Sequence, residues 1–79
     1  MNIDGIINEI AVTFKSSISG LKITQTGNTT GVIFKCNDSF DFCEDSTKVR
    51  NIVKDAIENE VTLQLNFNFE DQTIELIQE

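Results

Sequence analysis

Carboxylates are concentrated in one short stretch of the chain, residues 31–45, and they are the side chains best suited to chemistry. The stretch reads GVIFKCNDSFDFCED and contains Asp38, Asp41, Glu44 and Asp45. Closely spaced carboxylates can form a general acid–base pair, bind a cation, or present an array of negative charge to a basic partner. The rest of the sequence indicates which of these three functions is best supported.

Catalysis is poorly supported by the residue types. The chain has no His, so the usual general base at neutral pH is absent. Asp41 with Asp45, or Glu70 with Asp71, could pair as carboxylates do in glycosidases, but such a pair requires a cleft that holds the sugar. A chain of 79 residues builds one core and leaves little room for a cleft. We predict that the protein is not an enzyme and uses no cofactor.

Metal binding is also weakly supported. Asn37, Asp38, Asp41 and Glu44 offer oxygens in an order that calcium accepts, but the glycine and the final glutamate of an EF-hand loop are missing. We predict no metal site beyond weak, adventitious cation binding. The third chemistry, an acidic array for a basic partner, depends on how the chain holds these residues.

Two amphipathic helices are predicted. Apolar residues recur at steps of three and four from Ile3 to Ile18, which is the spacing of one helical stripe. A second stripe runs from Val49 to Ile57, after Asp45 and Ser46, which can cap the start of a helix. Each helix therefore has one apolar face to bury.

Alternation of apolar and polar residues predicts strands between and after the helices. Residues 21–26 lead into the two-residue turn Gly27-Asn28, which sets Ile23 opposite Val32 in the next strand. A three-residue loop, residues 37–39, is expected to lead into a third strand.

The third strand would set Phe34 opposite Phe42 on the apolar face and Lys35 opposite Asp41 on the other face. Residues 61–69 then alternate strictly, with Val61 and Phe69 among the inward residues and Thr62 among the outward ones. A turn leads into a last strand, with Phe67 facing Ile74.

These elements predict a single α+β domain, residues 1–79, with the order α-β-β-β-α-β-β. Its sheet is mostly antiparallel, and both helices pack on the apolar face. The other face is expected to be continuous and polar, and it includes Thr62, Gln64, Asn66, Asn68, Thr73 and Glu75.

The cysteines and the N-terminal residues indicate a cytoplasmic protein. Cys36 is expected to point into the core and Cys43 away from it, so they should form neither a disulfide nor a zinc site. Free thiols are typical of the cytoplasm. The N-terminal residues lack the basic segment and following apolar run of a signal peptide. No stretch approaches the roughly 20 apolar residues of a membrane span.

Net charge is the most informative global property. The chain carries 13 acidic and six basic residues, for a net charge of −7. Residues 1–54 balance six acids with six bases, whereas residues 55–79 carry seven acids and no base. This charge argues against direct binding to nucleic acid or an anionic membrane and favours a basic protein surface. A simpler explanation of the net charge is that it keeps the protein soluble.

Acids on alternate strand residues would stand roughly 6.6 Å apart on a rigid support. A basic cleft that accepts a phosphate backbone could accept such an array instead, although Lys22 and Lys35 would partly neutralise it. The candidate partner-binding residues are Asp38, Asp41, Glu44, Asp45, Glu70, Asp71 and Glu75.

The segments MNIDGIINEI, GVIFKCNDSFDF and KVRNIVKDAIEN resemble small phage-encoded anti-CRISPR proteins that inhibit type II-A Cas9. The resemblance covers residues 1–59. It implies a viral inhibitor that acts as a DNA mimic in the host cytoplasm and occupies the Cas9 cleft that reads the short duplex motif beside the target. Because Cas9 reads that motif with arginines, carboxylates are apt partners. By position, the resemblance assigns this role to Asp38, Asp41, Glu44 and Asp45.

Two other interpretations remain open. The element order is also similar to that of double-stranded-RNA-binding domains, in which Lys48, Arg50 and Lys54 would form a thin basic patch that the net charge opposes. Alternatively, the chain is a non-enzymatic protein-interaction module or a homodimer that uses the polar sheet face or a strand edge.

Overall fold

A computed structural model describes residues 3–57 and 63–79, without the side chains of residues 56 and 57. The predicted α+β class is confirmed, with the order α-β-β-α-β-β among the described residues. No helix in these ranges is long and apolar enough to cross a membrane. The elements are α1 (Ile3–Thr13), β1 (Ile18–Thr26), β2 (Thr29–Cys36), α2 (Asp45–Ile57), β3 (Leu63–Asn68) and β4 (Thr73–Gln78).

The four strands form one antiparallel sheet in the order β1-β2-β4-β3. The predicted register of the first hairpin is confirmed, since Ile23 lies opposite Val32. Gly27 has a φ of 61°, whereas Asn28 does not have a positive φ; this combination is that of a type II′ hairpin turn. The predicted pairing of Phe67 with Ile74 is also confirmed.

The predicted third strand is wrong. Residues 37–44 form turns and irregular backbone instead, because β4 occupies the edge of β2 that a third strand would need. Asn37 fixes the first turn: its Oδ1 accepts hydrogen bonds from the Ser39 backbone N–H at 2.9 Å and the Ser39 hydroxyl at 2.6 Å. Phe34 accordingly lies between Leu21 of β1 and Ile74 of β4, and not opposite Phe42.

The first helix is shorter than its apolar stripe. It ends at Thr13, and Ile18 already belongs to β1, where it pairs with Cys36. Phe14 stays buried after the helix ends. The stripe overestimates the helix because the side chains after Thr13 reach the same core from turns and from a strand.

Both helices pack against one face of the sheet, the inner face, and the described side chains form a single core. The most deeply buried side chains come from α1, α2 and the two central strands β2 and β4. They are Ile6, Ile10, Val32, Phe34, Cys36, Val49, Ile74 and Leu76.

The two cysteines behave as predicted, since Cys36 is buried, Cys43 is exposed, and both are free thiols. Burial raises the pKa of the Cys36 thiol, and the positive charge of Lys35 opposes that shift. A protonated, buried thiol is a poor nucleophile and acts here as a small apolar side chain.

The opposite, outer face is less polar than predicted. Ile33 of β2 pairs with Lys22 and Glu75 on this face, and Ile77 pairs with Gln64. Both isoleucines are half-buried. The predicted inward Val61 and outward Thr62 lie outside the described residues.

Candidate protein-binding surface

A row of phenylalanine rings leads from the core to the surface at one end of the sheet. Phe14 and Phe40 are buried and meet edge-to-face at 5.3 Å between ring centroids. Phe42 continues the row at 4.8 Å from Phe40, and Phe69 completes it at 5.6 Å from Phe42. Phe69 is 72% exposed. Edge-to-face contacts of this kind hold each ring in a defined orientation, so a fixed aromatic side chain projects into solvent.

Two shallow depressions adjoin Phe69 and bring acidic residues from distant parts of the chain together. One, of about 420 Å³, lies beside the turns after β2 and contains Asp38 and Asp41. The other, of about 470 Å³, lies on the outer face at the turn between β3 and β4. We call the combined region the Phe69 surface; its charged residues are Asp38, Asp41, Glu70, Asp71 and Glu75.

Gln72 joins the two halves of this surface. Its side-chain amide donates a hydrogen bond to Asp38 Oδ1 at 3.1 Å, and its backbone carbonyl accepts one from the Cys36 N–H at 2.8 Å. Gln72 has a φ of 55°, a left-handed conformation that non-glycine residues adopt only where the surroundings impose it. The Asp38 carboxylate is therefore held at a defined place beside the β3–β4 turn.

The β3–β4 turn is organised by Asp71 and Asn68. The Asn68 amide donates to Asp71 Oδ2 at 3.0 Å, and the Asp71 N–H donates to Asn68 Oδ1 at 3.0 Å. Lys35 was predicted to face Asp41, but its Nζ donates to the Asp71 backbone carbonyl. One lysine therefore lies within the acidic surface, although it does not pair with the Asp41 carboxylate.

The Asp41 side chain stabilises the backbone turn that leads into α2. Its Oδ1 accepts hydrogen bonds from the N–H groups of Cys43 at 2.8 Å and Glu44 at 3.4 Å. The Asp41 N–H donates to Asp45 Oδ2 at 2.9 Å, and the Asp45 N–H donates to the Asp41 carbonyl at 2.7 Å. This reciprocal arrangement resembles a capping box at the entry to α2, so the capping role falls on Asp41 as much as on Asp45.

The seven predicted residues are therefore divided by the structure. Five of them line the Phe69 surface, and two do not. Glu44 is exposed on the turn before α2, whereas Asp45 is half-buried and forms an ion pair with Lys48 at 3.6 Å. In the described part of the chain, no group of three or more metal-ligating side chains is close enough to hold an ion.

The sequence interpretation placed Phe69 on the inward side of a strand and did not predict its exposure at this surface. The last paired residue of β3 is Asn68, so strand alternation stops before Phe69. The signal was its position directly before Glu70 and Asp71, where a turn was expected. An exposed aromatic ring among carboxylates suits arginine, which can stack on the ring and pair with the acids.

Comparison with protein families, curated proteins and solved structures finds no match to this chain.

Proposed function

We propose that this protein is a non-enzymatic inhibitor that binds a basic, nucleic-acid-binding protein through the Phe69 surface. Its carboxylates would substitute for a phosphate backbone, and its aromatic ring would anchor the contact. The resemblance to anti-CRISPR proteins makes the motif-reading cleft of Cas9, in the cytoplasm of an infected cell, the first target to test.

The observation that carries this proposal is the exposure of Phe69 on a fixed aromatic row. The phenyl ring is 72% exposed, so most of its apolar surface is not buried in the folded monomer, and large exposed aromatic residues often mark binding sites. Because Phe42 supports the ring edge-to-face, little side-chain entropy would be lost on binding. Asp38 and Glu70, on either side of the ring, are exposed.

Binding of this kind depends on charge, so it should weaken with salt. An interface of several ion pairs loses about tenfold or more in affinity between about 50 mM and about 200 mM salt. Two variants test the aromatic anchor and the charge separately. Phe69→Ala should lower affinity by about 10- to 100-fold, which corresponds to about 1.4 to 2.8 kcal/mol. The double variant Asp38→Lys with Glu70→Lys should lower affinity and reduce the salt dependence.

The experiment measures the affinity of guide-loaded Cas9 and of a polyarginine peptide for each variant by calorimetry. Val12→Ala shortens a side chain that is 67% exposed on α1. The double variant Asp4→Lys with Glu9→Lys makes the same change in net charge at exposed residues of that helix. Both control variants should bind as the parent protein does. Competition by duplex DNA should reduce Cas9 binding. The proposal fails if Phe69→Ala and the double reversal bind both probes as tightly as the unchanged protein, or if neither probe binds.

A further inference from the structure

In the part of the chain that the structure describes, strand β1 is an open edge of the sheet. It pairs with β2 on one side, and β3 forms the other edge of the four-stranded order. The pairing is regular from Gly20 to Thr26, with a register shift only between Ile18 and Gly20. Seven of the nine residues of β1 are exposed. An exposed, regular edge strand offers a row of unpaired backbone groups to another strand.

The two-residue turn determines which backbone groups point outward. In such a hairpin the residues that flank the turn, Thr26 and Thr29, form a hydrogen-bonded pair, and hydrogen-bonded pairs then alternate along the ladder. Leu21, Ile23 and Gln25 therefore fall at the positions whose N–H and C=O groups point away from β2. These three residues are exposed.

The same segment carries exposed apolar side chains on the inner face. Leu21 is 49% exposed and Ile23 is 55% exposed, although each lies opposite a side chain that is fully buried, Phe34 and Val32 respectively. The helices thus cover β2 fully and leave the inner face of β1 largely open.

The other edge, β3, differs in this respect. Its inward residues Leu63, Leu65 and Phe67 pack against the core. The Arg50 guanidinium of α2 also lies over the Phe67 ring, 5.2 Å from its centroid. Among the described residues that belong to the two edge strands, large exposed apolar side chains are therefore confined to β1.

We propose that β1 pairs antiparallel with β1 of a second copy, around a twofold axis at Ile23, and so forms a continuous eight-stranded sheet. In this register Ile23 lies beside Ile23 of the second copy, and Lys22 lies opposite Thr24. The paired segment is Gly20–Thr26, which is the regular part of the strand. Ile23 then packs against Ile23 of the second copy, and Leu21 lies opposite Gln25 and diagonally beside Ile23 of that copy.

Two alternative symmetric registers are less favourable. An axis at Lys22 would set two ammonium groups directly opposite each other, and like charges at such a pair are destabilising. An axis at Leu21 would extend the pairing into the irregular segment around Ile18 and Gly20.

Charge favours a second copy as the occupant. A chain with a net charge of −7 repels its own copies, but residues 18–26 contain no acid and one base. Two copies can therefore approach by this edge without repulsion between carboxylates of the paired strands, and a twofold interface requires a self-complementary surface, which this segment provides.

The test compares variants on the two sheet edges. The unchanged protein should sediment at twice the 8.9 kDa chain mass, and Ile23→Lys should halve the measured mass. Gln64→Lys, which introduces a lysine at an exposed residue of the other edge strand, β3, should remain dimeric. Circular dichroism checks that both variants are folded, as expected for substitutions at exposed positions.

Cysteine crosslinking tests the register separately. In a Cys43→Ser background, which removes the exposed native thiol, Ile23→Cys should oxidise to a covalent dimer, because paired strand residues lie within disulfide reach. Gln64→Cys should not. A monomeric unchanged protein, a dimer that persists in Ile23→Lys, or crosslinking at residue 64 alone would each overturn the proposal.

Discussion

Removal of the Asp41 carboxylate should destabilise the fold more than loss of an ordinary surface charge. In Asp41→Ala, the N–H groups of Cys43 and Glu44 lose the acceptor that they contact at 2.8 and 3.4 Å. The Asp45 N–H keeps its bond to the Asp41 carbonyl. The perturbation is therefore confined to the cap of the turn that leads into α2.

The expected cost is about 1 kcal/mol, the typical value for removing a capping side chain. The site is exposed, so water can partly satisfy the two N–H groups, and the cost should stay below the upper limit of about 2 kcal/mol. For a domain of this size 1 kcal/mol corresponds to a decrease in Tm of about 4–8 °C. That is a large share of the roughly 3–5 kcal/mol that one small core provides.

Asp41→Asn is the matched control, because asparagine also accepts backbone hydrogen bonds at a cap. Its cost should be clearly smaller, about 0.3 kcal/mol, which is the lower limit for loss of a negative charge near a helix start and fits an exposed site. Urea and thermal unfolding followed by circular dichroism measure both variants. If Asp41→Ala is as stable as the unchanged protein, or if Asp41→Asn is as unstable as Asp41→Ala, the capping argument is wrong.

Three further predictions concern the core, the first hairpin and the thiols. Ile74→Val removes one methylene from a fully buried side chain and should lower the free energy of unfolding by about 0.5–1.5 kcal/mol in urea titration. Gly27→Ala should lower the free energy of unfolding by about 1 kcal/mol because of the φ of 61°. Gly20→Ala should be nearly neutral, because its added carbon meets only Lys35 at 3.5 Å. Thermal unfolding compares the two variants. A thiol reagent should modify Cys43 in the folded protein and Cys36 only after unfolding. Because burial raises the pKa of Cys36, stability should fall as pH rises past the ordinary cysteine pKa, where the unfolded chain releases a proton that the folded chain retains.

Pairing rules on short segments predicted the local structure well. The turn at Gly27-Asn28 fixed the register of β1 on β2, and strict alternation fixed Phe67 opposite Ile74. Both depend on neighbours in sequence, where loop length and the two-residue period leave one consistent pairing. The same reasoning failed at residues 40–42, because it could not reveal that β4 takes the free edge of β2.

The candidate site was likewise predictable only where it depends on residues that are close in sequence. Charge indicated the acidic segments, but sequence could not show that Asp38 meets the turn of Glu70 and Asp71, since that contact depends on the β2–β4 pairing. The sequence also could not show that Asp41 caps a turn, whereas Asp38 accepts a hydrogen bond from one side-chain amide. Hydrogen-bond partners decide which acids remain available to a partner.

The two proposed surfaces lie at opposite edges of the sheet, and this separation makes their roles independent. Phe69 follows β3, whereas the proposed dimer forms through β1. In an eight-stranded sheet, seven spacings of about 4.8 Å place the two β3 strands about 34 Å apart. Each Phe69 surface would thus bind its own site, and avidity would arise only on targets whose basic sites match that span. Ile23→Lys should therefore leave the affinity for a single-site target unchanged, while Phe69→Ala should weaken binding without altering the dimer mass. A variant at one edge that changed both measurements would show that one surface serves both roles.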